Sequence, residues 1–273
     1  MPRPSTPEAA MQGYLTGDDP GLHRVRRFMR RVPHGPNCKL CAAPFEGIGG
    51  AVLRHVGFER FPANPSICAA CIKDLNKIGV YGAEIPVSLL FADIRGSTGI
   101  GERLSPTEFR AFLDRFYRLS TRAILDNDGI VDKFVGDEAI GLFFAGVSGS
   151  EHSAAAIRAA RALLDAVGRE DATPMGPIPV GAAVHAGQAY VGSTGADGVV
   201  SDFTALGDVV NTTARLASQA GAGELLVSLE AATAAALDAS GLERRTVAVR
   251  GRSDSIEVVA IPPSRGAAVN AGA

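Results

Sequence analysis

No run of apolar residues in this chain approaches the roughly 20 that a membrane-spanning helix needs. The N-terminus, MPRPSTPEAAMQGYLTGDDP, also lacks the apolar core of a secretory signal, so a cytoplasmic location is the expectation. Charge of one sign is missing too: 27 Lys and Arg stand against 29 Asp and Glu, a net of −2. Nucleic acid is therefore not expected as the main partner. No internal repeat is seen. What is left, 273 residues of which 46% are apolar, describes a globular chain with room for one medium domain and a smaller module.

Cysteine is scarce as well, and four residues in a chain of this size exclude a disulfide scaffold. Their spacing carries the information. Cys38 and Cys41 form one Cys-x-x-Cys pair, and Cys68 and Cys71 form another. Each pair can chelate one ion from a tight turn, and two pairs suit a closed tetrahedral site of the kind that holds structural zinc. An iron–sulfur cluster also accepts four thiolates, and a redox pair or unliganded thiols is the plainer reading.

Along the chain, residues 1–20 are rich in Pro, Gly, Asp and Thr without an apolar period and read as disordered. GLHRVRRFMRRV follows, with Leu22, Val25, Phe28, Met29 and Val32 at helical spacing and arginines on the other sides. It reads as a packed helix with a solvated basic face; a membrane surface or an acidic partner is the alternative. The basic helix and four-Cys module together span 21–80. A different rhythm occupies 84–262. EIPVSLLFADI reads as a buried strand. The stretch from Ser105 reads as a helix with Ser105 as N-cap, Pro106 in the first turn and Glu108 closing a capping box. Phe109, Phe112, Leu113, Phe116, Leu119 and Ala123 form its buried stripe, and Gly129 is expected to end it. GIVDKFVGDEAIGLFF gives two strands joined by a tight turn at Val135–Asp137. Two more amphipathic helices and several strands follow. Strands and helices mix, and the hairpins argue for a mainly antiparallel sheet covered by helices. The tail, 263–273, reads as disordered.

The chemistry concentrates at strand ends. Asp93 closes the apolar strand and Asp137 lies in the hairpin turn. Two converging carboxylates at strand edges suit a hard divalent cation beside a substrate phosphate. Gly96, Ser97 and Thr98 offer backbone N–H groups at a short helix start, which suits an anion. Further on, Asn211 and Arg215 lie four apart and share a helix face, with Val210, Ala214 and Ala217 expected on the packed side. An amide can hold a sugar and a guanidinium can stabilise phosphate charge. Taken singly, each of these residues is as readily a turn-former or a solvated side chain.

Four segments together, FADIRGSTGI, DKFVGDEAIGLFF, VGAAVHAGQAYVGSTG and FTALGDVVNTTARLA, resemble the class III nucleotide cyclases in order, spacing and type. The resemblance covers about 84–262. It implies a ferredoxin-like α/β sandwich whose catalytic domains pair head to tail. By position, Asp93 and Asp137 match the metal carboxylates, Ile94 the residue lending a backbone carbonyl, Asn211 the ribose-orienting residue and Arg215 the phosphate-stabilising one. Two Mg2+ or Mn2+ ions per site, a homodimer with acids from one copy and the Asn/Arg pair from the other, and conversion of ATP to cyclic AMP are what the family implies. Lys133 stands where adenylate cyclases of the family carry Lys and guanylate cyclases Glu, and Thr204 stands where many members have Asp. A lysine can donate to N1 of adenine and a threonine hydroxyl can accept from its amino group, so ATP is the expected substrate and GTP the alternative. His185 reads as structural.

Two other readings compete. VGDEA resembles the turn of diguanylate cyclases, but Val135 and Ala139 replace a glycine and an aromatic there, and that family gives no reason for Asn211 and Arg215. A catalytically silent nucleotide sensor or adaptor is the rival from another class. The N-terminal module is expected to regulate or dimerise the domain that follows it.

Overall fold

The computed structural model describes residues 6–32, 36–62, 64–169, 176–194, 202–248 and 255–263. In chain order the elements are α1 (Pro7–Thr16), α2 (Pro20–Met29), α3 (Gly47–Arg54), β1 (Arg60–Phe61), β2 (Asn64–Cys68), α4 (Ala69–Lys77) and β3 (Gly82–Ile94). Then come α5 (Ser97–Arg103), α6 (Pro106–Asp126), β4 (Ile130–Val135), β5 (Glu138–Phe144), α7 (Ala145–Ser148) and α8 (His152–Gly168). The chain continues through β6 (Val180–Thr194), β7 (Asp202–Leu206), α9 (Asp208–Gln219), β8 (Leu225–Ser228), α10 (Leu229–Ala234), β9 (Glu243–Val247) and β10 (Ile256–Ile261). Among the described residues no helix is long and apolar enough to cross a membrane.

Contacts divide the chain into two units. One gathers Met1–Val87, Phe144–Ser150 and Gln188–Gly207; the other gathers Ser88–Phe143, Glu151–Gly187 and Asp208–Ala273. The division is discontinuous in sequence, so short segments from the middle of the chain group with the N-terminal part.

In the first unit α1 is a correction to the sequence reading of residues 1–20. Thr6 caps it by accepting from the Ala9 N–H, Pro7 opens it, and Gly17 closes it at φ 82°. Only Met11 and Leu15 are buried, too few to show a period in sequence. The helix is held by α7, where a Cβ on Gly146 would meet the Leu15 carbonyl oxygen at 2.1 Å. α2 forms as expected, N-capped by Asp19, but its buried stripe shrinks to Leu22 and Met29. Val25 and Phe28 face solvent. The disorder expected for residues 1–5 and 264–273 lies outside the described residues.

The second unit holds the main sheet, ordered β4-β5-β3-β6-β8-β10-β9. The pairs β4–β5, β8–β10 and β9–β10 are antiparallel, and β6–β8 is parallel. The sheet is thus mainly antiparallel with helices packed on it, the α/β sandwich the resemblance implies. Its core joins Leu90, Ala92 and Ile94 of β3 to Phe112 and Phe116 of α6, and to Leu163 and Val167 of α8. Burying each such large side chain stabilises the fold by about 1.5–3 kcal/mol. α6 has the expected capping box between Ser105 and Glu108. Its end differs from expectation: Asp128 takes the left-handed conformation, at φ 58°. Gly129 is needed for space instead, since a Cβ there would meet the Phe143 ring at 2.5 Å.

Candidate active site

The site grows from the exit of β3. Apolar side chains from Val87 to Ala92 bury this strand, and the chain then turns out through Asp93, whose side chain is 25% exposed. The Ile94 N–H donates to the Asp137 carbonyl at 3.2 Å, which clamps the strand exit to the β4–β5 hairpin. That hairpin is tight, with Val135 opposite Glu138. Gly136 takes φ 60° at the first turn position and Asp137 stays at negative φ, the pattern of a type II′ connection. Tyr117 of α6 buttresses the turn: its hydroxyl donates to the Gly136 carbonyl, and its ring stacks on Phe134 with centroids 4.3 Å apart.

This scaffold brings Asp93 and Asp137 together. Burial is the main influence raising the Asp93 carboxyl above its ordinary range; Arg95 opposes it, and the neighbouring Asp137 carboxyl raises it further. Glu138, the first residue of β5, is a third acid in the cluster. Burial, then Asp93 and Asp137, push it up to about 7 from 4.5, against the pull of Arg95. Close, half-buried carboxylates repel unless a proton or a cation lies between them. The oxygen donors of Asp93 and Asp137, with the Ile94 carbonyl available at the strand end, fit a hard divalent cation.

Arg95 organises the opposite side. Its guanidinium pairs with Asp93, donates to the Ser218 carbonyl at 2.9 Å, and its backbone N–H donates to the Pro179 carbonyl. The β3 exit is thereby tied to the last turn of α9. Gly96 caps α5 in the left-handed conformation, at φ 69°, with Ser97 half-buried and Thr98 exposed.

α9 carries Asn211 and Arg215 on its exposed face. The packed face is Val209, Thr212, Thr213, Leu216 and Ala217, not the Val210 and Ala214 stripe expected from sequence. Two buried threonines account for the error, since Thr213 satisfies its hydroxyl internally on the Val209 carbonyl at 2.6 Å. Among the described residues neither Asn211 nor Arg215 bonds to Asp93 or Asp137. Lys133 is half-exposed on β4, its Nζ 4.0 Å from Asp132. Thr204 is 3% exposed on β7, a strand of the first unit. His185 is buried and bonds to the Ser228 hydroxyl at 2.8 Å, the structural role expected. Arg95, Tyr117 and Glu138 were not singled out from sequence. Glu138 was within reach, as the acid next to Asp137, whereas Tyr117 enters from a helix with no local signal.

In the first unit the four cysteine sulfurs lie within 4.8 Å of one another and are buried. Cys38 and Cys71 are 3.8 Å apart and Cys41 and Cys68 are 3.6 Å apart. A tetrahedron with zinc–sulfur bonds of about 2.3 Å has edges of about 3.8 Å. Burial works to raise the Cys38 thiol, yet hydrogen bonds from Cys41, Cys68 and Cys71 hold it well below its ordinary range. Burial, and after it the neighbouring Cys71, raises the Tyr14 phenol of α1. The cage fits one tetrahedral cation.

An antiparallel-rich α/β sandwich with paired acids at a strand exit and an Asn/Arg face on a helix is chemically suited to a phosphorylated ligand with a divalent cation. Residues 82–261 match the adenylate and guanylate cyclase catalytic domain family, and the chain belongs to it. It is 28% identical over 212 residues to a protein of Anabaena cylindrica named adenylate cyclase, covering 74% of this chain and 42% of that one. It is 33% identical over 184 residues to an uncharacterised protein of Mycobacterium tuberculosis, covering 67% of this chain and 31% of that one. The chain therefore spans less than half the length of these relatives. Among solved structures it is similar to the guanylyl cyclase Cya2, with TM-score 0.62, 25% identity, and coverage of 67% of this chain and 95% of that one. The adenylyl cyclase CyaB from P. aeruginosa gives TM-score 0.59 and 25% identity, covering 68% of this chain and 99% of that one.

Proposed function

We propose that this chain is a nucleotide cyclase that converts ATP to 3′,5′-cyclic AMP and pyrophosphate at sites shared between two copies. The observation that carries the reading is the close pair of partly buried carboxyls, Asp93 and Asp137, at the strand exit and the hairpin turn. Asp93, Asp137 and the Ile94 carbonyl would hold Mg2+ or Mn2+, two per site. Bound there, the ions make the ribose 3′-hydroxyl more acidic and offset charge on the departing pyrophosphate. The 3′-oxygen bonds to the α-phosphorus as the bond to the bridging oxygen of the β-phosphate breaks; pyrophosphate leaves and the hydroxyl proton passes to water. Asn211 orients the ribose, and Arg215 stabilises the α-phosphate oxygens as their charge changes. The N–H groups of Gly96, Ser97 and Thr98 face the phosphates.

Both Asn211 and Arg215 are exposed and unbonded to their own chain's acids, which supports a homodimer in which each copy completes the other's site. Lys133 and Thr204 favour adenine, while relatives named for either nucleotide keep guanylate cyclase as the second reading. The sulfur spacing supports a single structural zinc ion in the Cys38, Cys41, Cys68 and Cys71 cage over a cluster that must fit its own atoms inside. The N-terminal module acts as the regulator, and the supply of ATP places the enzyme in the cytoplasm.

The test is a product assay on purified protein with Mn2+ and either ATP or GTP, with Asp93→Ala as control. Cyclic AMP from ATP that disappears in the variant supports the proposal. A dimer that binds ATP without forming cyclic product would make the chain a sensor, and cyclic di-GMP from GTP would make it a diguanylate cyclase.

A further inference from the structure

Charge in this chain is segregated. The whole chain has a net charge of −2, yet residues 21–60 hold eight Lys and Arg against two acids, six positive charges in excess. The excess centres on α2. His23, Arg26, Arg27 and Arg30 follow one another at i, i+3, i+4 and i+7 and line one surface depression. Arg24 and Arg31 lie along one side of that stripe. Among the described residues Arg24, Arg27, Arg30 and Arg31 form no ion pair. Arg26 donates instead to the Lys39 carbonyl, which fastens α2 to the turn of the first cysteine pair.

The same N-terminal module also exposes apolar side chains. Phe28 is 62% exposed on α2, about 160° round the helix from Arg30. On α3, Ile48 is 88% exposed and Val52 63%, and Val56, in the turn just past its end, is 65% exposed. The opposite side of α3 is packed: Gly50 is buried, and a Cβ there would meet the Phe45 backbone at 2.4 Å. Large aliphatic side chains on a rigid helix, turned to water, mark an interaction surface.

The kind of partner follows from the combination. A nucleic acid takes arginines but stacks on aromatic rings, and the aliphatic stripe has no use there. A second copy could cover the stripe but would set one basic helix against another. An anionic bilayer takes both, with guanidinium groups on phosphate headgroups and apolar side chains at the headgroup boundary. We propose that α2 and α3 of the four-cysteine module dock this protein peripherally on an anionic phospholipid bilayer. Arg27 and Arg30 grip the phosphates, while Ile48 and Val52 insert.

The experiment is co-sedimentation of the full chain with vesicles of phosphatidylcholine, alone or with phosphatidylglycerol added. Binding is expected only with phosphatidylglycerol, and it weakens as salt is raised. Arg27→Gln with Arg30→Gln should lower partitioning by about tenfold or more, since each basic residue near such a surface contributes about fivefold. Ile48→Ser with Val52→Ser should also lower partitioning while leaving its salt dependence in place. All four residues are exposed, so far-ultraviolet circular dichroism of each variant should match the parent. No binding to anionic vesicles, or binding untouched by both double variants, overturns the proposal. So does tight binding to duplex DNA without vesicle binding, which would name nucleic acid as the partner. A change in oligomeric mass from the Ile48 and Val52 variant with vesicle binding unmoved would name a second copy.

Discussion

Replacing Glu138 with Gln should stabilise the metal-free protein at neutral and higher pH. The Glu138 carboxyl is pushed from 4.5 to about 7 by burial and by Asp93 and Asp137. The folded chain therefore holds this proton over a pH range in which the unfolded chain has released it. Below about pH 4.5 both states are protonated and Glu138 has no effect on stability. Between there and about pH 7 stability falls, because the folded state binds more protons. Above pH 7 the full cost stands. At about 1.4 kcal/mol per tenfold change this cost would be about 3 kcal/mol. The side chain keeps contact with water, and screening reduces the figure to about 1–1.5 kcal/mol. Glutamine carries no charge, so the variant should melt about 2–5 °C higher at pH 8 and match the parent at pH 4.5. Calorimetry in chelator across that range makes the measurement. Adding Mn2+ should narrow the gap, since a cation among the acids offsets the same repulsion. Identical melting of parent and variant at every pH would refute the reasoning.

Three further outcomes are expected. Tyr117→Phe removes the hydroxyl that holds the Gly136 carbonyl and should cost about 1 kcal/mol in denaturant unfolding; cyclase turnover should fall more than ATP binding does, because the turn positions Asp137. Gly129→Ala puts a methyl where Phe143 already stands and should cost about 1–3 kcal/mol, read in the same assay with the slope unchanged. Cys71→Ser opens the cysteine cage; metal bound per chain, measured by a colorimetric chelator after denaturation, should drop, and a variant that keeps its full zinc would contradict a four-thiolate site.

Local rules carried much of the fold into the sequence. The capping box of Ser105 and Glu108 marks the start of α6, and the alternation around Gly136 marks the β4–β5 hairpin. Asp93 and Asp137 were legible as a pair because one closes an apolar strand and the other lies in a tight hairpin turn. What stayed hidden depends on distant partners. α1 has two buried apolar residues and is held by α7, more than a hundred residues away. On α2, Val25 and Phe28 have the spacing of a core stripe, but only Leu22 and Met29 find a core to enter. On α9 the buried face includes threonines whose hydroxyls bond within the helix, so polarity misled the assignment. Gly129 was read for its backbone freedom, whereas its place is set by the ring of Phe143. Arg95 and Glu138 sit next to the two acids in sequence, yet their roles appear only when the strand exit, the hairpin and the end of α9 come together.

The most direct test of a site built from two copies is complementation between Asp93→Ala and Arg215→Ala. Each variant alone should be inactive, one lacking the acid and the other the guanidinium at both sites of its dimer. Mixed and allowed to exchange subunits, half of the dimers become hybrids with one intact site, so about a quarter of the parent cyclase activity should return. If the two variants fold, dimerise and exchange, yet the mixture forms no cyclic nucleotide, the shared site is contradicted.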